Sequence, residues 1–276
     1  MRTIVLLSLS LLLLLPNFFG NDINKQVPYD GKERFRPELG SIQTVRELEA
    51  YTDRCAATKH FELHSLEYTA MLAYVVSCRF YHGFSHYTLS ENWIAALGEK
   101  IVGYGLASKV DPEEILQHAN AACSQQALVM MAVLRNKGIP YRKVGFPHHY
   151  ALEVNIKGNW YYFDPNMEPR MNLRQRLHEN WSGYNDNLKS YYNPDIHQHL
   201  DYQFGQGQVA EIGAINEIPG RNVSKFHGFT RLLSKTLWLL PFSFLFVRRR
   251  RPVLYPIKPV NHHPVLRLRW QRPYYA

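Results

Sequence analysis

The chain has 276 residues, 46% of them hydrophobic, and a formal net charge of +9. That length can bury one substantial core with appendages, which argues for a single main domain rather than an array. Eight of the positive charges (Arg248 to Arg251, Lys258, Arg267, Arg269 and Arg272) lie after residue 247 with no acid among them, which leaves +1 for everything before. A basic surface running along the domain is therefore excluded, and no nucleic acid is expected as a partner.

Residues 1–20 read "MRTIVLLSLSLLLLLPNFFG": Arg2 precedes an apolar stretch that reaches Pro16. A charged start before an apolar run is the pattern of a secretory signal peptide or an N-terminal membrane anchor. Gly20 can end a cleavage site, whereas Phe18 is large where a small residue is preferred, which keeps the uncleaved anchor open. Residues 21–37 are a polar linker. The main domain is expected over 38–205.

Its first part, "SIQTVRELEAYTDRCAATKHFELHSLEYTAMLAYVVSC", carries two helical patterns. An aromatic-rich turn follows, then a helix expected to be capped by Ser90. Asp111 caps the next helix, with Pro112 in its first turn and Glu113 and Glu114 favourable at the positive end of the dipole. Cys55 and Cys78 can pair in an oxidising compartment, which would leave Cys123 as the odd thiol. Alternatively all three are reduced, buried and apolar.

From Ala121 onward the periodicity changes from helix to strand. Ala127, Leu128, Met131 and Leu134 repeat at helical spacing, and "NKGIP" ends the helix. Cys123 falls at or just before the first turn. There the unpaired amides and the dipole favour thiolate over thiol, which makes Cys123 a candidate nucleophile. "YRKVGF" and "HYALEVNI" are expected strands, with "KGN" turning into "WYYFDP". A two-residue turn at Gly158 and Asn159 would set Glu153 opposite Asp164. Alternation then gives His149, Ala151 and Glu153 the face of Asp164 and sends His148 to the other side. That register leaves His149 four residues past the partner of Asp164, a gap that a bulge, a twist or a different turn must close.

Residues 206–231 are expected to be a linker, 232–247 a membrane segment and 248–276 a basic Pro-rich tail. "LLSKTLWLLPFSFLFV" stops at four arginines, as a stop-transfer segment does, with an interfacial helix as the alternative. Arg2 and Arg248 to Arg251 would lie on one side of the membrane and the main domain on the extracytoplasmic side. A CxxC, an HExxH or a closely spaced ligand pair is lacking in the sequence, and adjacent strand residues His148 and His149 point apart, so no metal is expected.

Cys123, "RNKGIPYRKV", His149 four residues before "EV", Trp160 and "FDP" at Phe163 to Pro165 together resemble the transglutaminase-like superfamily, within the wider papain-like group. The close match covers about residues 115–166, with looser similarity back to "RFYHGFSHYTLSENW". The family often has a glycine close before its cysteine, where this chain has "NAACS". The resemblance implies an α+β fold, a papain-like or transglutaminase-like core with N-terminal helices packed on a small antiparallel sheet. It implies Cys123 as nucleophile, His149 as general base and acid, and Asp164 as the residue that orients the imidazole. The backbone N–H of Cys123 is the expected oxyanion donor, with Asn92, Trp93 and His86 as guesses for a second. No cofactor is implied.

Three functions follow. The first is an exported, membrane-tethered thiol enzyme acting on the amide bonds of envelope peptides or polymers, as a peptidase, an amidase or a transferase to an amine. The second is an acyltransferase of the arylamine acetyltransferase type. The third is a catalytically silent domain that binds an envelope peptide or glycan. Expected partners are therefore a peptide, protein or glycan-linked amide substrate and the membrane.

Overall fold

The computed structural model describes every residue except 25–26, 30, 32, 168–175, 178–183, 191–193, 195–196, 205–209 and 247–276. The basic tail and the end of the expected membrane segment fall outside the described residues.

Helix α1 (Arg2–Leu14) runs into a 3-10 turn at Leu15–Phe18. Helix α2 (Val45–Thr58) starts at a reciprocal box in which Thr44 and Glu47 bond each other's backbone amides. Helix α3 (Leu66–Arg79) is capped by Ser65, which accepts from Tyr68 N. Helix α4 (Leu89–Val102) begins after Thr88, not Ser90. The reason is local. Glu91 stands three residues after Thr88, so the two side chains close a second box, and a start at Ser90 would forgo that reciprocal pair. Asp111 caps the single turn α5 (Pro112–Ile115), as the sequence indicated. Helix α6 (Cys123–Asn136) ends at Gly138, whose φ of 67° needs a glycine.

The strands follow without interruption: β1 (Tyr141–Phe146), β2 (His149–Ile156) and β3 (Asn159–Phe163). The β2–β3 turn is Lys157–Gly158, both with positive φ, and Ile156 faces Asn159. Two left-handed residues match the twist of a tight hairpin, which fixes the register one residue away from the expected Gly158–Asn159 turn. Glu153 therefore pairs with Tyr162 rather than Asp164, and Asp164 lies one step past the last pair, Leu152 with Phe163. The face assignment survives, because the correction moves partners by two.

After the hairpin come α7 (Tyr184–Lys189) and α8 (His197–Phe204). Strand β4 (Glu211–Ile212) then pairs with β1, and α9 (Arg221–Thr236) and α10 (Leu239–Ser243) follow. The sheet is antiparallel with order β3-β2-β1-β4. The protein is α+β, with N-terminal helices packed on this four-stranded sheet.

Two apolar layers sandwich the sheet. On one face Leu152, Val154, Ile156 and Phe163 meet Leu72 and Val76 of α3 and Val129, Met130 and Leu134 of α6. On the other, Val144, Phe146, Ala151 and Tyr162 meet Leu188, Leu200 and Phe204 of α7 and α8. Each such side chain contributes about 1.5–3 kcal/mol when fully buried. Strands with apolar residues on both faces are what a doubly covered sheet requires, and Glu153 is admitted to the second face because Arg142 pairs with it at 2.7 Å. All three cysteines are free thiols, and Cys55 and Cys78 line one cleft of about 240 Å³.

The expected linker over 206–231 contains β4 and most of α9, and α9 packs along α4. No helix among the described residues is long and apolar enough to cross a membrane.

Candidate active site

Cys123 is the first residue of α6, preceded by Ala122 in extended conformation. The approach is fixed by Tyr81, whose carbonyl accepts from Ala121 N at 3.0 Å while its amide donates to Ala119 O. Alanine offers no cap, so the helix start is braced from inside by Gln125. Its Oε1 accepts from Ala122 N and Ser85 N, and its Nε2 donates to Ser85 O and Lys109 O. One buried amide thus ties the cysteine turn to two separate segments. No side chain caps the helix, so amides of its first turn remain available to a developing negative charge.

His149 opens β2 at 6% exposure, and Asp164 follows β3 at 1%. Adjacent strands bring residues fifteen apart in sequence together: His149 Nε2 lies 2.5 Å from Asp164 Oδ2. An ionised carboxylate only accepts, so Nε2 carries the proton. Asp164 is itself held by Tyr162, whose hydroxyl donates to Oδ2 at 3.3 Å, and by Met167 N, which donates to Oδ1 at 3.1 Å. Phe204 of α8 stands edge-on to the imidazole, with 5.2 Å between ring centroids.

Electrostatics favour an imidazolium here. Burial alone lowers the pKa of His149, but the charge and hydrogen bond of Asp164, joined by hydrogen bonding and charge from Cys123, outweigh it and push the value up to about 10. Cys123 is half-buried and so within reach of a substrate. Of the three residues picked out in the sequence, Asp164 bonds the imidazole directly, and Cys123 is near enough to the same ring to help raise its pKa.

No family model, curated protein or solved structure matches this chain.

The functional reading therefore rests on the geometry of the site. Two of the three guesses for a second oxyanion donor turn away from it. Asn92 Nδ2 donates to Thr230 Oγ1 at 2.9 Å, and Trp93 Nε1 to Ser234 O at 2.9 Å, so both serve the α4–α9 contact. His86 instead lines a cleft of about 360 Å³ with His82, Phe84 and Glu99. His82 Nδ1 lies 2.7 Å from Asn166 Oδ1, and that oxygen also accepts from Gln126 Nε2 at 3.3 Å. This polar bridge links the aromatic turn to the residue after "DP", and sequence reading missed it. The only signal was the recurrence of amide side chains beside the motif. Gln125 was legible in principle, since glutamine three residues into a helix is a capping position. Among the described residues no group of three or more His, Cys, Asp and Glu side chains gathers as metal ligands.

Proposed function

We propose that the protein is a thiol enzyme that opens an amide bond through an acyl-enzyme on Cys123. The observation that carries this reading is the buried His149–Asp164 pair at 2.5 Å, beside a half-buried cysteine at the first turn of a helix that helps to raise the pKa of the imidazole. The thiol proton passes to His149, whose imidazolium is stabilised by Asp164. The thiolate then attacks the carbonyl carbon, and the oxygen takes up negative charge against the Cys123 amide. Collapse breaks the C–N bond as His149 gives its proton to the leaving nitrogen, which departs as a neutral amine. Water or a second amine attacks the thioester and passes a proton to His149, and cleavage of the C–S bond restores the thiol. Substrates would be peptides or amide-bearing polymers on the extracytoplasmic side.

The test incubates the purified full chain with a mixed library of peptides and amines, following ammonia release and product masses. Wild type should form products, Cys123→Ala none, and Asp164→Ala fewer by up to about 10⁴, the loss seen when the orienting acid of a Ser-His-Asp triad is neutralised. New acids would assign hydrolysis, and amine adducts would assign transfer. Saturable peptide or glycan binding that survives Cys123→Ala, with no product from wild type, would show a binding domain instead.

A further inference from the structure

Outside the candidate active site, a pair of apolar arms stands unexplained. The first is α1 with its 3-10 turn. Ile4, Leu12 and Phe18 are 69%, 64% and 72% exposed there, and no charged residue occurs between Arg2 and Asp22. The second follows α9. Leu240 and Phe246 are 57% and 73% exposed, and the sequence is uncharged from Thr236 to Val247. The arms pack together through α1 and α10. Arg2 Nη2 donates to Phe244 O at 3.2 Å, so both finish at the same end. Arg248 to Arg251 follow in sequence within a few residues of that point.

We infer that residues 1–20 stay on the working protein and form, with α10, a two-armed apolar hairpin that inserts into a bilayer bearing anionic headgroups.

Retention follows from how the first arm is built into the fold. Phe19 O accepts from Ser90 N at 2.8 Å, and Asn21 O accepts from Leu89 N at 3.2 Å. The 3-10 turn between Leu15 and Phe18 packs on α4. The two arms and α4 then converge on one buried residue, Ser234. Its carbonyl accepts from both Asn17 Nδ2 and Trp93 Nε1 at 2.9 Å, while its hydroxyl donates to Asn92 Oδ1 and accepts from Ile94 N, each at 3.1 Å. Helix α4 is kinked at Asn92, and the hydroxyl takes up the amide two residues on. Cleavage after Gly20 would remove Phe19 O, the partner of Ser90 N, and uncover the face of α4 on which the 3-10 turn packs.

A bilayer is the occupant that fits. Helix α1, Arg2–Leu14, at a rise of about 1.5 Å per residue, is about 20 Å long, about two thirds of the depth of a hydrocarbon core. Three polar side chains of the arms bond their own backbone, as suits hydrocarbon: Ser10 Oγ donates to Leu6 O, Trp238 Nε1 to Lys235 O and Ser243 Oγ to Leu240 O. A second copy of the chain would cover the apolar faces but leave the five arginines without counter-charge. Anionic headgroups supply both. This placement does not depend on the catalytic reading.

The test uses the full chain made in an exporting host and recovered from membranes in detergent. Peptide mapping should recover residues 1–20 at the same abundance as the rest. After detergent removal, the protein should float with vesicles of phosphatidylcholine plus phosphatidylglycerol and about tenfold less with phosphatidylcholine alone. Replacing Arg248 to Arg251 with Gln should erase that preference. The combined change Ile4→Asp, Leu12→Asp and Leu240→Asp should abolish flotation while the thermal unfolding midpoint of the domain stays put. A mature protein that begins at Asn21 would overturn the inference. So would an intact chain that stays at the bottom of the gradient with both vesicles, or one that dimerises in solution through the same three apolar residues.

Discussion

At the scale of single residues, the pair His149–Asp164 makes two quantities measurable. The first is thiol reactivity. With an imidazolium stabilised beside it, Cys123 should react with iodoacetamide faster than a free thiol near neutral pH, and His149→Ala should remove the enhancement. Equal slow labelling of both proteins would mark an inert structural cysteine. The second is stability against pH. The folded-state pKa of His149 is raised from 6.5 to about 10, so below pH about 6.5 folded and unfolded chains both hold the proton and the pair contributes fully. Between pH 6.5 and about 10 the unfolded chain gives its proton up first. The contribution therefore falls as pH rises through that window. Thermal melts of wild type should lose stability across it, and Asp164→Asn, lacking the charge that raises the pKa, should lose less.

At the scale of elements, the decisive device is the brace at the start of α6. Gln125 satisfies two amides and two carbonyls in a buried place, so Gln125→Ala would leave Ala122 N, Ser85 N and Lys109 O without it, while Ser85 O keeps the amide of Lys109. A cost of about 2–4 kcal/mol is expected in urea unfolding, since buried groups without partners cost about 1–3 kcal/mol each and some will find water. Because the brace also sets where Cys123 stands, labelling of the surviving folded fraction should slow. Gln125→Glu keeps the length of the side chain and its acceptors but loses the amide donors to Ser85 O and Lys109 O, so it should fall between. A register fixed by the Lys157–Gly158 turn has a similar standing: it decides that His149 is two residues, not four, beyond the position facing Asp164.

At the scale of the molecule, the proposed membrane hairpin carries an expectation about sidedness. The arginine end of the apolar hairpin and the exposed Lys157 turn belong to different parts of the protein, one to the arms and one to the sheet. In a background with Cys55, Cys78 and Cys123 replaced by alanine, a cysteine placed at Lys157 should react with a membrane-impermeant maleimide added to intact cells. A cysteine placed at Ala276 should react only after permeabilisation, as the Lys/Arg excess beside the second arm requires. Labelling of both positions from outside would remove the second crossing. An interfacial hairpin would then be the arrangement.

The sequence by itself determined the local features. Helical spacing placed Cys123 at the start of α6, strand parity chose His149 over His148, and Asp111 and Pro112 announced α5, because each depends on neighbours within a few residues. It also contained, unread, the Thr88–Glu91 box that sets the start of α4. Tertiary structure alone decided the rest. The 2.5 Å pairing of His149 with Asp164 depends on which turn joins β2 to β3, and a shift of one residue there is nearly silent in the pattern of apolar positions. Strand β4 is two residues long, too short for periodicity to register, and exists because β1 offers it an unpaired edge. Asn92 and Trp93 looked available to a substrate until α9 folded back across α4 and claimed them. Such long-range contacts are set by where the chain can bury its polar groups with partners, and no local window of sequence holds both halves of such a pair.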